Sequence, residues 1–203
     1  MVELKVMGGL LKGVSLSFPK ERMRPTSSLL KRRFFDSFQN FSTDFFIDLC
    51  AGSGSIGIEA WSRGSKELIL CEKSLEHMQV IKNNVDLVKK RFAREFITRP
   101  IQIIHSDCLD FAKKIDINSI QNRLNENGSL FIFFDPPYEN HQLYIEVIHK
   151  IKALFPSTTH SIFFIIESCA KKGVPLDQLK SEFVKDPLKV FKQGTKYMAI
   201  FGL

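Results

Sequence analysis

Short apolar segments alternate with amphipathic ones along most of this chain, and this alternation restricts the fold more than any other feature. Each apolar segment lacks the polar side of a half-solvated strand and ends in polar or small residues. Strands buried on both faces and separated by helices are typical of parallel sheets in α/β proteins. The predicted strands are Phe45–Leu49, Leu68–Cys71, Ile101–His105, Leu130–Phe134 and Ile162–Ile166.

Helical periodicity fills the intervals between these strands, whereas other patterns precede and follow them. Leu4–Leu16, with its glycines, predicts a hairpin, and Thr26–Phe38 predicts a helix capped by Thr26 or Ser27. We therefore predict an N-terminal extension over residues 1–40 and a main α/β domain over residues 41–203. The predicted helices of the main domain are Ile56–Arg63, Leu75–Lys90, Leu109–Lys114 and Leu143–Leu154, and its two last predicted strands are Phe183–Val190 and Tyr197–Phe201.

The fourth strand of the main domain runs directly into Asp135-Pro136-Pro137-Tyr138. The Asp135 carboxylate and the Pro136 carbonyl can both accept hydrogen bonds from one planar NH2 group, and the two prolines fix the backbone that carries them. Tyr138 offers a ring on which a base can stack. The alternative is an ordinary Pro-Pro turn with Asp as a turn former. We interpret the motif as a grip for the exocyclic amine of a nucleobase, with Asp135, Pro136 and Tyr138 as candidate catalytic residues.

A glycine-rich segment follows the first strand of the main domain and opens the next helix. Gly52, Gly54 and Gly57 give the spacing GxGxxG, and Glu72 stands twenty residues after Gly52 at the end of the second strand. Dinucleotide-binding proteins use this spacing, with the acid on the ribose hydroxyls. A nicotinamide-dependent oxidoreductase is therefore one hypothesis.

Three features favour S-adenosylmethionine over a nicotinamide cofactor. Asp48 lies at a strand end where a carboxylate suits a cationic ligand better than a pyrophosphate, which binds neutral N–H groups. Asp107 follows the third strand, where a carboxylate can meet the adenine amino group, and Asp-Pro-Pro-Tyr has no role in hydride transfer. Open α/β sheets bind ligands at the carboxyl ends of their strands, so we expect these motifs to converge. The predicted cofactor-binding residues of this region are Asp48, Ala51, Gly52, Ser53, Gly54, Glu72, Lys73, Asp107 and Cys108.

The formal net charge of +7 favours a polyanionic partner, and residues 1–40 hold most of it, with eight Lys and Arg against three acids. We predict that Arg24, Lys31, Arg32 and Arg33 contact the phosphates of a nucleic acid. The alternative is a solvated helix face, which we prefer for a second basic cluster between Lys89 and Arg99.

Cysteine and histidine usage argues against metal chemistry. The four cysteines are far apart and form no CxxC pair, and the five histidines show no ligand spacing. The apolar runs are far shorter than a membrane span, and the first residues lack a signal-peptide pattern. We expect a monomeric cytoplasmic protein without a metal or membrane partner.

These motifs together resemble the class I S-adenosylmethionine-dependent methyltransferases that act on amines. More narrowly, the chain resembles the bacterial RsmD family of 16S rRNA guanine-N2 methyltransferases. The glycine loop and Asp-Pro-Pro-Tyr are shared with many amino methyltransferases. The N-terminal glycines with Arg24-Pro25-Thr26, and Ser62-Arg63-Gly64, narrow the resemblance to the RsmD family. It covers nearly the whole chain, through Gly8-Gly9, Lys12-Gly13, Arg24-Pro25-Thr26, Asp48 to Gly57, Glu59 to Gly64, Glu72-Lys73, Asp107, Asp135 to Tyr138, Glu167 and Lys192 to Thr195.

The resemblance implies a Rossmann-like, seven-stranded, mostly parallel sheet whose last strand is antiparallel, with an N-terminal β-hairpin that helps to bind RNA. It implies methyl transfer from S-adenosylmethionine to one guanine N2 of 16S rRNA, in the small ribosomal subunit or its assembly intermediate. The region of Thr26 is expected to close over the methionine end of the cofactor. The family usually continues with an acid after Arg24-Pro25-Thr26, and Ser27 stands there in this chain, so RNA contacts of the helix are expected to be rearranged.

Other substrates remain open at this stage. Asp-Pro-Pro-Tyr would serve equally for the N6 of a DNA adenine or for a protein glutamine. The small size of the chain disfavours a DNA enzyme with a target-recognition domain, and glutamine enzymes usually carry Asn in place of Asp135. The alternative from another class is a non-catalytic RNA-binding assembly factor, against which the complete motifs argue.

Overall fold

The computed structural model describes residues 4–18, 27–156 and 160–203. The expectations for Arg24 and Thr26 lie outside the described residues. The strands are β1 (Leu4–Lys5), β2 (Ser15–Leu16), β3 (Phe45–Asp48), β4 (Glu67–Glu72), β5 (Ile101–His105), β6 (Ser129–Phe134), β7 (Ser161–Cys169), β8 (Lys189–Gln193) and β9 (Lys196–Gly202). The helices are α1 (Ser28–Ser37), α2 (Ser55–Ser62), α3 (Leu75–Arg91), α4 (Ala93–Thr98), α5 (Cys108–Lys114), α6 (Ile117–Arg123), α7 (His141–Leu154) and α8 (Leu176–Phe183).

A seven-stranded sheet forms the centre of the molecule, in the order β5-β4-β3-β6-β7-β9-β8. The first five strands of this order pair in parallel, whereas β9 runs antiparallel to both of its neighbours. The chain moves outward from β3 in one direction and then returns to β6 on its other side, so β3 and β6 form a topological switch point. The predicted fold class is confirmed, including the antiparallel last strand and the hairpin of β1 with β2.

The central strands are buried on both faces, as their apolar composition predicts. Every residue of β3 and β4 is buried. The hairpin, α1, α2 and α3 pack against one face, and α5 to α8 pack against the other. Each face therefore supports its own hydrophobic cluster.

Phenylalanine rings join the N-terminal extension to the sheet. Phe38 lies against Phe131 and Phe163 with ring centroids 5.2 and 5.7 Å apart, and Phe41 contacts both Phe46 and Phe131. Such contacts add stability beyond the buried area. The extension and the sheet thus share one core.

Helix α2 also anchors the hairpin through polar contacts. The buried Glu59 carboxylate accepts hydrogen bonds from the backbone N–H groups of Met7 and Gly8. The Ser62 hydroxyl accepts from the Leu11 N–H and donates to the Gly8 carbonyl. Glu59 and Ser62 therefore hold the hairpin, and Ser62 belongs to the Ser62-Arg63-Gly64 motif that narrowed the family resemblance.

The prediction of a strand over Phe183–Val190 is wrong in its first half. Leu176–Phe183 forms α8, which buries Leu179 and Phe183 on one face. Val184 then adopts the left-handed conformation and ends the helix, and β8 begins only at Lys189. The apolar residues at both ends of this segment therefore come from two different elements.

Candidate active site

A cavity of about 420 Å³ lies at the carboxyl ends of β3, β4, β5 and β6. Its size lies in the range of small-molecule and cofactor sites. The structure brings most of the predicted site residues to its wall: Asp48, Ala51, Gly52, Ser53, Glu72, Lys73, Asp107, Cys108, Asp135, Pro136 and Tyr138.

The glycine loop is shaped by two residues with positive φ. Gly52 has φ +57° and Gly54, which caps α2, has φ +76°. Gly54 does not line the cavity, so it shapes the loop instead. A Cβ on Gly57 would stand 2.5 Å from a methyl group of Leu70, so the third glycine allows α2 to pack closely on β4.

Glu72 holds this loop in place. Its two carboxylate oxygens accept hydrogen bonds from the N–H groups of Gly52 and Ser74, each at 2.8 Å. A carboxylate oxygen can accept two hydrogen bonds, so each keeps capacity for a ligand hydroxyl. The same side chain can therefore brace the loop and face a ribose.

Asn84 supports the loop from behind and was missed by the sequence reasoning. It lies on the buried face of α3, where its amide donates to the Ser53 and Ser17 carbonyls, and its oxygen accepts from the Ser17 N–H. A polar residue on the otherwise apolar face of a helix was the available signal. Asn84 thus links the glycine loop to the segment that follows β2 and carries Phe18, another residue of the cavity wall.

Asp48 is a buried acid of the cavity wall with a raised pKa. Its carboxylate is 1% exposed, and within the described parts of the chain its Oδ1 atom has no hydrogen-bond partner. Burial, and next the nearby charge of Asp135, raise the pKa of Asp48 to about 8. A buried polar atom without a partner is costly, so the site favours a ligand that supplies a donor or a positive charge here.

S-adenosylmethionine fits this wall. It carries a sulfonium and an ammonium group and no phosphate, and the wall presents the carboxylates of Asp48, Glu72, Asp107 and Asp135. The Asp48 Oδ1 atom, which has no hydrogen-bond partner among the described residues, would suit the ammonium group. A nicotinamide dinucleotide would instead bring its pyrophosphate towards a buried acid.

Asp107 and Cys108 stand at the start of α5. Asp107 caps this helix through Oδ1, which accepts from the Leu109 N–H, and its Oδ2 lies 3.8 Å from the Lys73 ammonium group. A hydrogen bond with the Cys108 thiol, and then burial, raise the pKa of Cys50 on the same wall. The Cys50 thiol is therefore neutral at this site.

The Asp-Pro-Pro-Tyr motif is held by residues beneath it. The Tyr138 hydroxyl donates to Oε1 of the buried Glu167 at 3.1 Å. The Tyr144 hydroxyl donates to the Glu167 carbonyl at 2.9 Å and lies 3.5 Å from the Pro136 carbonyl. Tyr138 lines the cavity, but it is only 2% exposed, so its ring offers no open face to a base in this conformation.

The structure corrects the prediction for Lys31. We predicted a phosphate contact, but Lys31 is buried, donates to the Ser55 carbonyl at 2.9 Å and pairs with Glu59 at 3.4 Å. Burial lowers its pKa, and Glu59 opposes this effect. A side chain committed to these partners cannot reach RNA, whereas Arg32 and Arg33 on the same helix are exposed.

The described residues contain neither a metal-binding group nor a membrane-spanning helix. No group of three or more His, Cys, Asp or Glu residues in residues 4–18, 27–156 and 160–203 could hold a metal ion. No described helix is long and apolar enough to cross a membrane.

Comparisons with known proteins agree with the site. The family model described as "Conserved hypothetical protein 95" matches residues 4–186. The Bacillus subtilis protein "Putative rRNA methyltransferase YlbH" is 30% identical over 142 residues, which are 69% of this chain and 70% of that protein. The Haemophilus influenzae "Ribosomal RNA small subunit methyltransferase D" is 27% identical over 138 residues, 67% of this chain and 64% of that protein.

A solved structure extends the likeness of fold to both termini. "Putative methyltransferase yhhF from Escherichia coli" superposes with a TM-score of 0.69 and covers 98% of this chain and 97% of its own. The two sequences are 17% identical, so this likeness concerns the fold.

Proposed function

This chain belongs to the family described as conserved hypothetical protein 95, the RsmD family of rRNA methyltransferases, and we propose that it methylates the N2 amine of a guanine in 16S rRNA. The methyl donor is S-adenosylmethionine, and the substrate is the small ribosomal subunit or its assembly intermediate.

One observation supports this proposal more strongly than any other. Asp135 lies close enough to the buried Asp48 for its charge to raise the Asp48 pKa, and both residues line one cavity. The acid suited to an exocyclic amine and the acid suited to a cationic cofactor therefore face the same space. This arrangement supports direct transfer between two ligands bound side by side.

The cofactor supplies an electrophilic methyl group, and the residues of the chain aim the amine at it. The Asp135 carboxylate and the Pro136 carbonyl accept the two hydrogens of N2, which draws electron density back onto a weakly nucleophilic nitrogen. The proton lost from nitrogen passes to Asp135 or to water as positive charge develops. Orienting two reactants in this way can remove roughly 7–11 kcal/mol from a barrier.

The remaining residues of the wall hold the cofactor. We assign Asp48 to its ammonium group, Glu72 to the ribose hydroxyls and Asp107 to the adenine amino group. Lys73 and Cys108 complete this end of the site. Thr26 keeps its proposed role at the methionine end.

RNA contacts are proposed for the exposed cations of α1. Arg32 and Arg33 project from this helix, and Arg24 precedes it in the sequence. The target base must leave its stack to reach Asp135, at a cost of a few kcal/mol. Tyr138 would have to shift from its contact with Glu167 before its ring could receive that base.

The decisive experiment uses labelled S-adenosylmethionine and small-subunit particles from a strain without this enzyme. Naked 16S rRNA, DNA and protein extracts are offered in parallel. We expect label in small-subunit RNA that digests to N2-methylguanosine. Label in DNA adenine or in protein glutamine would instead identify one of the other amine substrates, and bound cofactor without transfer would favour an assembly factor.

The Asp135→Ala variant tests the assigned chemistry. We expect a loss of transfer by at least about a hundredfold, since the amine loses its main acceptor. Cofactor affinity should persist or rise, because removing the Asp135 charge eases ionisation of Asp48. Glu146→Gln, which alters an exposed acid outside the cavity, is the matched control. Wild-type rates in Asp135→Ala would refute the catalytic assignment.

A further inference from the structure

Two lysines of the last two strands lie on the side of the sheet where α1 packs: Lys189 contacts Ser37 at the end of α1, and Lys196 pairs with Gln193, which bonds to Ser27 before its start. Arg32 and Arg33 are exposed on α1, Lys189 is exposed on β8, and Lys196 is half-buried at the start of β9. We call these four residues the α1–β8 basic surface. More than 150 positions separate its two halves, so the charge pattern of the sequence does not reveal it.

Direct contacts hold the two halves together. The Arg33 guanidinium donates to the Lys192 carbonyl at 2.6 Å, and the Lys189 ammonium group donates to the Ser37 hydroxyl at 2.9 Å. The Ser27 hydroxyl at the other end of α1 donates to Gln193. The helix therefore lies along β8, and its cations are held beside those of the strand.

Strand register assigns Lys189 and Lys196 to the face that α1 covers. Residues paired across a sheet point to the same side, and Lys189 pairs with Ile200, which packs with the α1 cluster. Gln193, four residues after Lys189, lies on that same face and pairs with Lys196. The side chain of Lys192 points to the opposite face, because successive side chains of a strand alternate between the two faces.

The surface also reaches the edge of the sheet that holds the cavity. Lys196 pairs with Cys169 at the carboxyl end of β7, and β7 pairs with β6, whose end carries Asp135. Two strand spacings of about 4.8 Å separate β6 from β9, so Lys196 stands roughly 10 Å from the Asp-Pro-Pro-Tyr segment. A nucleic-acid strand whose base enters the cavity would pass over this surface.

Electrostatic balance supports an anionic partner. Within the ranges that the structure describes, none of the four cations forms an ion pair with an acid. Residues 187–203 contain no acidic residue, and Asp36 is the only acid of α1. Among the described residues, therefore, no acid offsets the positive charge of this surface.

We infer that the α1–β8 basic surface binds the sugar-phosphate backbone of the RNA next to the target base, with Lys189 and Lys196 as phosphate contacts. This inference rests on the proposed function, because it takes the RNA in the cavity as given. Phosphate contacts of this kind fix the register of the nucleic acid and carry no sequence information.

Edge protection is the competing role for the same lysines. β8 is the outer strand of the sheet, and lysines on outer strands prevent pairing with other chains. In that case their removal would promote self-association and leave RNA binding unchanged. The two roles therefore differ in what a charge-removing variant does.

The test compares two double variants with the full-length wild type. Lys189→Gln/Lys196→Gln removes two charges from the surface. Lys90→Gln/Lys114→Gln removes two exposed charges near the carboxyl ends of α3 and α5, at the opposite edge of the sheet. Each protein is titrated with labelled 16S rRNA at several salt concentrations, and its sedimentation, its cofactor affinity and its kcat and KM on small-subunit particles are measured.

We expect the salt slope of RNA binding to fall by about 1.5 in the surface variant, which corresponds to two lost phosphate contacts. Its KM for the particles should rise about tenfold or more, with kcat and cofactor affinity unchanged. The control variant should keep most of the wild-type slope and KM. Equal slopes in the two variants, or self-association of the surface variant with normal RNA binding, would overturn the inference.

The two proposals can fail separately. If the wild type transfers no methyl group to RNA, the proposed function fails, and the salt slopes still decide whether the surface binds RNA. If the wild type methylates RNA and the two variants behave alike, only the surface is refuted.

Discussion

Asp48 is the residue at which the needs of folding and of binding oppose each other most clearly. Its carboxylate is buried and has an oxygen without a hydrogen-bond partner among the described residues, and burial raises its pKa to about 8. An unfolded Asp titrates near pH 3.9. Between these values the native protein holds a proton that the unfolded chain has released, so this group lowers the free energy of unfolding as the pH rises.

We predict that Asp48→Asn stabilises the ligand-free protein increasingly between about pH 5 and pH 8, on the order of 3 kcal/mol at the upper end, because Asn carries no charge to bury. Denaturant titrations at both pH values measure this difference. Cofactor affinity should fall in the same variant.

The exposed Asp86→Asn serves as the control and should show no such trend. A stability difference between Asp48→Asn and the wild type that stays constant with pH would contradict the assigned titration.

Local sequence reasoning succeeded for residues whose partners lie nearby and failed for those with distant partners. Asp48, Glu72 and Asp107 were placed at strand ends, and the structure brings them to one wall. Lys31 looked like a surface cation, but Glu59, which lies on another helix, holds it in the interior. The presence of a charged residue in a sequence does not show whether its side chain is buried or exposed.

At the scale of elements, the two ends of α2 have different structural roles. Its start continues the glycine loop, and its end binds the hairpin through Ser62. A Cβ on Gly9 would stand 2.0 Å from the Ser62 carbonyl, so this approach of hairpin and helix requires glycine. The hairpin position is therefore coupled to the helix that opens at the cavity.

We predict that Ser62→Ala loosens the hairpin selectively. The change leaves the buried Leu11 N–H and the Gly8 carbonyl without their partner, at a cost of about 1–3 kcal/mol. Amide exchange should accelerate over residues 4–18 while β3 to β6 remain protected. Ser181→Ala, on an exposed face of α8, is the comparison, and uniform exchange across the protein in Ser62→Ala would argue against a local dock.

Element boundaries were predictable where periodicity and caps agreed. The helix after the glycine loop and the α1 cap at Ser27 match the predictions closely. Phe183–Val190 was predicted to be a strand because the periodicity of a short apolar segment does not distinguish a strand from the end of a helix. In the structure, Phe183 is the last residue of α8 and packs against Phe164 and Phe201 of the sheet.

At the scale of the whole molecule, the predicted division at residue 40 separates regions that share a hydrophobic core. The hairpin and α1 contribute buried side chains to the cluster on one face of the sheet, among them Leu11, Leu30 and Phe34. Without the extension, Phe131 and Phe163 of the sheet would lose their packing against Phe38. The extension is therefore a structural part of the main domain.

We predict that a fragment of residues 41–203 does not fold cooperatively. Each large side chain that loses its burial costs roughly 1.5–3 kcal/mol, and several such losses match a total stability of about 5–15 kcal/mol. Circular dichroism and thermal melting of the fragment beside the full chain measure the effect. A sharp transition with native near-ultraviolet signal would instead support an independent domain.

The sequence by itself determined the alternation of strands and helices from β3 to β7, the α/β fold class and the position of each motif at a strand end. These follow from local periodicity and from the rule that parallel strands present their carboxyl ends at one edge. Only the tertiary structure decided that Lys31 and Tyr138 turn inward, that Asn84 braces the glycine loop, and that Lys189 lies beside α1. Those outcomes depend on register and side-chain direction between residues far apart in the chain, and no local pattern encodes them.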